Sequence, residues 1–425
     1  MARIVVLGAG LGGISQIYEL RKELGKEHEL TLVGDSDRFE FTPSNPWVAV
    51  GLRKPDQITV DLPKLMKKYG IEFSGSGALL LHPDRNFIEL GDGSDLEYDY
   101  LVIATGPKLA FEEVAGLGPE GHTQSICKTG HAKLSSADFE KLVANPGPVI
   151  VGAAPGASCF GPAYEYVFIL DTELKKRKIR DRVPMHFVTP EPYVGHLGLD
   201  GVGDTKSMLE SEFRERHIKW TCNAKITDVS EGLMRFTEVD EDGNDKKEHE
   251  LPFQHSMILP AFKGVDAVNG IDGLTNPRGF ILIDEFQRNP TYQNIYAVGV
   301  CVAIPPVGPT PVATGAPKTG FMIESMVTAT THNIASAVAG KEPAERGTWS
   351  AVCLADFGDS GVAFIAVPQI PPRNTNWSSK GKWVHVAKIA YEKYFLHKVR
   401  AAKTEPYYEK MVLKMVGAKR LKETN

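Results

Sequence analysis

Two strand–turn–helix units in tandem, followed by a basic and aromatic tail, predict an α/β chain. Its parts are two Rossmann-like βαβ domains and a C-terminal amphipathic helical segment. The first unit opens the chain. Residues 4–7 (Ile-Val-Val-Leu) are apolar on both faces, as in a buried parallel strand. Gly8, Gly10 and Gly13 then fit GxGxxG. The first glycine allows the tight turn, the second lets backbone approach a pyrophosphate, and the third brings helix and strand together. The helix expected over residues 11–24 points its N-terminal amides at the phosphates. A dinucleotide is therefore expected along this turn.

The strand expected over residues 28–33 ends in Gly34, not in the Asp or Glu that grips an adenosine ribose. Asp35 follows, so either Asp35 or the backbone takes that contact. Tyr100-Leu-Val-Ile-Ala-Thr-Gly106 reads as a strand ending in an ATG turn, and Asn294-Ile-Tyr-Ala-Val-Gly299 as a strand returning to the same cofactor. Both stretches resemble the two-dinucleotide-binding-domain flavoproteins, of disulfide-reductase-like fold. In that family one unit holds FAD and an inserted second unit normally holds NAD(P)H. The family usually has Asp after the last glycine to grip the ribityl chain, and Val300 stands there instead.

The 425 residues suffice for two or three domains with buried cores, and 42% hydrophobic with 24% charged residues is ordinary for a folded protein. Residues 1–107 are expected to form the first part of the FAD domain, with a loop over residues 39–47 that could lie over the flavin. Residues 108–147 are a connector with a helix after Ser135. Residues 148–270 form the second Rossmann-like domain, and the polar run at 238–245 reads as a hairpin. Residues 271–345 return to the FAD domain through a rigid Pro- and Gly-rich loop at 305–317 and a helix from 319 to 339. Residues 346–425 are expected to form a separate C-terminal segment that ends in the basic aromatic tail. No window approaches 18 uninterrupted apolar residues, so no spanning helix is expected, and the immediate entry into a strand argues against a signal peptide. Five cysteines without CxxC spacing argue against a disulfide framework or a metal site.

The second turn, Gly152-Ala-Ala-Pro-Gly-Ala-Ser-Cys159, fails as a fingerprint. Ala154 and Ala157 replace the second and third glycines, and a methyl at the second blocks approach to a pyrophosphate. The strand over residues 185–189 also lacks an acidic residue for a ribose, since Pro190 comes first and Glu191 is two along. The unit is expected to keep its fold without a nicotinamide. Cys159 stands instead near the start of the next helix, where helix-terminal amides would lower its thiol pKa. Glu165 is expected about two turns into that helix.

GAAPGASCFGPAYEY around Cys159, SNPW at 44–47, YVGHLG at 193–198, GAPKTG at 315–320, SIC ending at Cys127 and AVCLAD around Cys353 resemble bacterial sulfide:quinone oxidoreductases over nearly the whole chain. The resemblance implies specific roles. Cys159 and Cys353 match the sulfur-carrying pair beside the flavin, and Cys127 matches a third cysteine that some members tie to the flavin. Glu165, His131 and His196 match groups proposed to handle protons. Gly8, Ala9, Gly10, Gly12, Gly13, Gly34, Asp35, Thr42, Ala78, Thr105, Gly106, Gly299 and Gly315 match the FAD surroundings, and Lys318 supplies positive potential near the flavin. Pro43, Gly320, Phe357, Lys388 and Tyr391 match the quinone neighbourhood. Cys222 and Cys301 carry no implied role. The reaction implied is attack of HS⁻ on a sulfur-bridged pair, two-electron transfer to FAD from a sulfur on either cysteine, and reoxidation by quinone.

The net charge of −5 hides an asymmetry: residues 373–425 carry 13 Lys and Arg against 4 Glu, a net +9, leaving −14 on the rest. Trp383, Val384, Ala387, Tyr391, Tyr394 and Phe395 recur at helical spacing among lysines, and Tyr407, Tyr408, Met411, Val412 and Met415 suggest a second helix. Basic, aromatic and amphipathic together read as a helix lying on a membrane surface, against the alternative of a surface helix packed on the body. The partners expected are hydrogen sulfide, a membrane quinone, a lipid surface and further copies of the chain, with no nucleic acid. Two other readings stand beside this one. A type II NADH:quinone oxidoreductase is opposed by the damaged second fingerprint, and a flavocytochrome c type flavin subunit by the tail and the missing signal peptide.

Overall fold

The computed structural model describes residues 1–404. Arg3–Leu7 is the central strand of a five-stranded parallel sheet ordered Ile295–Ala297, Tyr100–Ile103, Arg3–Leu7, Glu29–Val33, Glu72–Ser74. Helix α1 (Leu11–Leu24) follows the glycine turn and buries Ile14, Ile17, Tyr18 and Leu20. The short helices α2 (Asn45–Ala49) and α3 (Pro63–Lys68) lie between the second and third strands of the sequence order in this sheet.

Helix α4 (Thr129–Ala144) starts ahead of the Ser135 expected from sequence. Its first turn is held by long-range contacts. The Thr129 amide donates to Glu40 Oε2 at 3.1 Å, and its hydroxyl donates to Asn45 Oδ1 at 3.1 Å.

The second sheet is four-stranded and parallel, ordered Ile218–Thr221, Met185–Val188, Val149–Ala153, His255–Leu259. Helix α5 (Gly161–Lys176) leaves its glycine turn and is buried from Ala163 to Leu174, while α6 (Thr205–Glu215) precedes the edge strand. The polar run expected to be a hairpin turns between the antiparallel strands Leu233–Val239 and Asp245–Pro252.

Helix α7 (Gly320–Val338) returns the chain to α1, where Gln16 Nε2 donates to Thr331 Oγ1 at 2.8 Å. The antiparallel strands Ala351–Asp356, Gly361–Val367 and Thr375–Lys380 then lead into α8 (Lys382–Arg400).

Helix α8 corrects the tail reading in one respect. It does not lie free on a surface, because its inner face is packed into the body. Val384, Phe395, Leu396 and Val399 are buried there, and so are Lys388 and Lys398, which pair with Glu165 and Glu324. Amphipathic spacing shows that a helix has two faces, but not that buried carboxylates wait for its lysines. The outer face keeps Lys382, Trp383, Val386 and Lys393 exposed. The second helix expected near Tyr407–Met415 lies outside the described residues. Among the described residues no helix is long and apolar enough to cross a membrane.

Candidate active site

The three glycines of the first turn are each required for a different reason. Gly8 has φ +115°, and a Cβ there would fall 2.3 Å from Ala104 O. A Cβ on Gly13 would fall 1.7 Å from Gly8 O, so helix and strand meet only because it is absent. A Cβ on Gly10 would meet nothing within 4 Å. Gly10 is the N-cap of α1, with no capping side chain and no acidic residue in the first turn. An uncapped helix start facing open space is an anion cradle, and it fits the phosphates of a dinucleotide.

A Cβ on Gly34 would lie 3.0 Å from the Ala9 Cβ and 3.1 Å from Ser36 O. The usual acidic side chain therefore has no room at this position, and Asp35 beside it is exposed. Thr105, Gly106 (φ +68°) and Gly299 (φ +85°) follow the two neighbouring strands, and Val300 lies in the short turn Gly299–Cys301. Ala78 starts the strand Ala78–His82, and Thr42 the turn Thr42–Ser44. Gly12 packs toward α7, where a Cβ would be 3.3 Å from Ile323.

The second turn is closed by the chain itself. The Gly156 amide donates to Ala313 O at 2.7 Å, and the Gly315 amide donates to Ala157 O at 2.9 Å. A Cβ on Gly315 would sit 2.7 Å from that of Ser158. The 305–317 loop thus takes up the Gly156 amide, a donor of the kind a pyrophosphate would need, and packs on the turn through the Ala157 carbonyl. Glu191 is equally occupied. It accepts from Tyr164 and Thr189 at 2.7 Å each and from the Leu197 amide at 2.6 Å. The altered glycines were legible in the sequence, whereas the covering loop was not.

Cys127, Cys159 and Cys353 gather near this closed turn. Each is a free thiol, and Cys159 interacts electrostatically with both others. Cys159 stands ahead of Phe160, the N-cap of α5, so it is outside the helix. Burial pushes its thiol up to about 12, with Cys127 adding to the rise and Lys318 opposing it. The expected lowering is therefore overturned: desolvation outweighs a helix end that the sulfur does not occupy. Cys353, in the strand Ala351–Asp356, is pushed up to about 12 by burial and then by Cys159, and Cys127 to about 11 by burial.

Glu165 is one turn into α5, nearer its start than the two turns expected, and is buried. Lys388 Nζ donates to both of its oxygens at 2.8 Å. Burial nevertheless pushes the Glu165 carboxyl up to about 7. Lys318, just ahead of α7, is lowered to about 8 by burial, and its ammonium lies 4.8 Å over the Phe280 ring.

Residues 2–332 match the pyridine nucleotide-disulphide oxidoreductase family. The sulfide-quinone reductase of Aquifex aeolicus (strain VF5) is 43% identical over 414 residues, covering 97% of this chain and 94% of the relative. This chain belongs to the sulfide:quinone oxidoreductase family. The X-ray structure of the sulfide:quinone oxidoreductase from A. aeolicus matches with a TM-score of 0.92, covering 98% of this chain and 95% of that one. The structure of NDH2 from Plasmodium falciparum in complex with NADH has a TM-score of 0.70 at 14% identity, which is likeness of fold alone. Sulfide:quinone oxidoreductases are flavin oxidoreductases, and the chain has their α/β fold.

In this member of the family the remaining predicted residues divide into two groups. Pro43, Gly320, Lys388 and Tyr391 gather along α8. A Cβ on Gly320 would lie 3.5 Å from Tyr391 Oη, and Tyr391 packs on Phe41 at 5.9 Å. Ser44, next to Pro43, donates to Glu392 of α8 at 2.6 Å. Phe357 is instead buried against Phe168 at 4.3 Å.

The two histidines each pack against an aromatic ring. His131 packs on Phe111 at 6.0 Å, and its Nδ1 is buried with no partner among the described residues. His196 packs edge-on to Tyr193, and its Nδ1 accepts from the Gly198 amide at 3.2 Å. Burial lowers the pKa of both rings. Cys301 donates from Sγ to Ile103 O and Val298 O at 3.3 Å, as a packed thiol does. Sequence reasoning missed the Trp47–Asp356–His385 cluster beside the cysteine strand, although SNPW and AVCLAD contain two of its members.

Proposed function

We propose that the chain oxidises hydrogen sulfide with FAD and passes the electrons to a membrane quinone. The observation that carries this reading is the meeting of three thiols with Glu165, Lys318 and Lys388 beside a second dinucleotide turn that is already sealed. FAD bound along Gly8–Gly13 supplies a two-electron acceptor. Cys159 and Cys353 carry the sulfur, and Cys127 stands by as the third thiol. HS⁻ attacks the sulfur-bridged pair, leaving a persulfide on one cysteine and a thiolate or persulfide on the other. Glu165 takes up a proton released on this side, for which a carboxyl near 7 is suited. Lys318 provides positive potential where negative charge accumulates. Anaerobic mixing tests the reading: sulfide should bleach the flavin absorbance rapidly and NADH at micromolar concentration should not. Rapid bleaching by NADH would point to the type II NADH:quinone oxidoreductase instead.

Attachment to a lipid surface is proposed to use the outer face of α8 and the strand before it. Trp377, Trp383 and Val386 are 42%, 47% and 64% exposed, beside Lys382 and Lys393. Exposed aromatics among cations suit a headgroup boundary. Removing everything after Pro372 would also remove Thr375–Lys380 from its sheet and α8 from its ion pairs, so it would test folding. Trp383→Ser with Val386→Ser leaves the inner face intact. It should weaken partition into washed membranes about tenfold or more, since each side chain contributes about 1 kcal/mol when buried. Retention equal to wild type would show that this face is not the attachment site.

A further inference from the structure

Glu392 lies on the inner face of α8, one residue after Tyr391, and is buried. Its carboxylate takes bonds from two points far away in sequence. The Ser44 hydroxyl donates to Oε2 at 2.6 Å, and Arg53 Nε donates to Oε1 at 3.0 Å and to Oε2 at 3.2 Å. These two points bracket α2. The Arg53 guanidinium lies 4.5 Å over the Trp47 ring, and the Leu52 and Arg53 amides both donate to Trp47 O, at 2.8 and 3.3 Å. Residues 44–53 therefore close on themselves, with one carboxylate tying both ends to α8. Pro43 stands at the start of this unit, while Lys388 and Tyr391 lie within one turn of Glu392. The apolar contacts along the same seam are ring on ring, Phe41 against Tyr391 at 5.9 Å and against Phe395 at 5.3 Å. Ring contacts can slide, whereas charge-assisted bonds from two donors to one carboxylate fix a register.

We propose that Glu392 is a positioning residue for quinone reduction, holding the Pro43 side of the pocket in register with Lys388 and Tyr391. The role rests on the reading that these residues face the quinone. Ser44 and Arg53 are 348 and 339 residues from Glu392 in sequence, so this carboxylate sets the spacing of two walls that the chain connectivity leaves independent. It acts through its neighbours and touches none of the reacting atoms. Loss of the register should therefore be felt where quinone binds and not where sulfide reacts.

The test reads the two half-reactions apart. Flavin in the holoprotein is reduced anaerobically with dithionite and mixed with a soluble short-chain quinone. Glu392→Gln, nearly equal in size, should raise the half-saturating quinone concentration about tenfold with little change in the maximal rate. Sulfide-driven bleaching of its oxidised flavin should match wild type. Ser44→Ala removes one donor and should give a smaller rise, about threefold. Lys398→Gln breaks another buried ion pair of α8, the one with Glu324, and should leave both half-reactions unchanged. An equal rise in Lys398→Gln would make the effect a general loosening of the helix and overturn the proposal. So would a sulfide half-reaction slowed as much as the quinone one, or wild-type quinone saturation in Glu392→Gln. Should Glu392→Gln fail to fold, Ser44→Ala decides alone: a rise supports the role and no rise overturns it. A wild-type flavin that quinone does not reoxidise would overturn the reading of the pocket and this role with it, whereas equal saturation in wild type and variants would overturn the role alone.

Discussion

Sulfide-dependent quinone reduction is expected to fall about 10³-fold or more in Cys159→Ala and in Cys353→Ala, with the flavin still bound. In the proposed cycle both sulfurs are needed, since a persulfide on one cysteine is resolved by its partner. The double variant should therefore be no slower than either single one, as expected for groups acting as a unit. Neither residue lies in the phosphate-binding turn, so visible flavin absorbance should survive. Burial pushes both thiols up to about 12, which disfavours a thiolate on either. Lys318 and Lys388 both oppose the rise at Cys159, and the proposed sulfur bridging supplies an electrophile that needs no free thiolate on either cysteine. Cys301→Ser should stay active. Turnover like wild type in Cys353→Ala, measured with sulfide and a soluble quinone, would exclude the pair.

Gly13→Ala should not yield a folded flavoprotein. Its Cβ would sit 1.7 Å from Gly8 O, a backbone atom with a sheet behind it. Overpacking typically costs about 1–3 kcal/mol, and a clash between two main chains has no flexible side chain to absorb it. Gly10→Ala should behave differently. Its Cβ meets no protein atom within 4 Å, so the chain should fold and melt near wild type while binding FAD weakly. Thermal melting of apo and FAD-loaded forms checks both. Equal FAD affinity in Gly10→Ala and wild type would remove the pyrophosphate from this turn.

What could be read in advance followed the range of each interaction. The turn at Gly8–Gly13 and helix α1 were legible because glycine spacing and apolar periodicity are local. The bond from Lys388 to Glu165 joins positions 223 residues apart, and no periodicity announces it. The Cys159 thiol was misjudged for a related reason. Helix position is a local property and burial is a global one, and burial prevailed. The start of α4 moved because Glu40 and Asn45, distant in sequence, hold its first turn. Lys318 was marked by resemblance, but its seat over Phe280 emerged only from the fold.

The hydrogen bonds that tie Gly156 to Ala313 and Gly315 to Ala157 are main chain to main chain, so no single side-chain replacement undoes them. Restoring glycine at 154 and 157 would rebuild the fingerprint in letters while leaving its berth filled. In bioenergetic terms the proposed reading makes the protein insulated: electrons from the nicotinamide pool would have no port of entry, and a cell rich in NADH would not drive it in competition with sulfide.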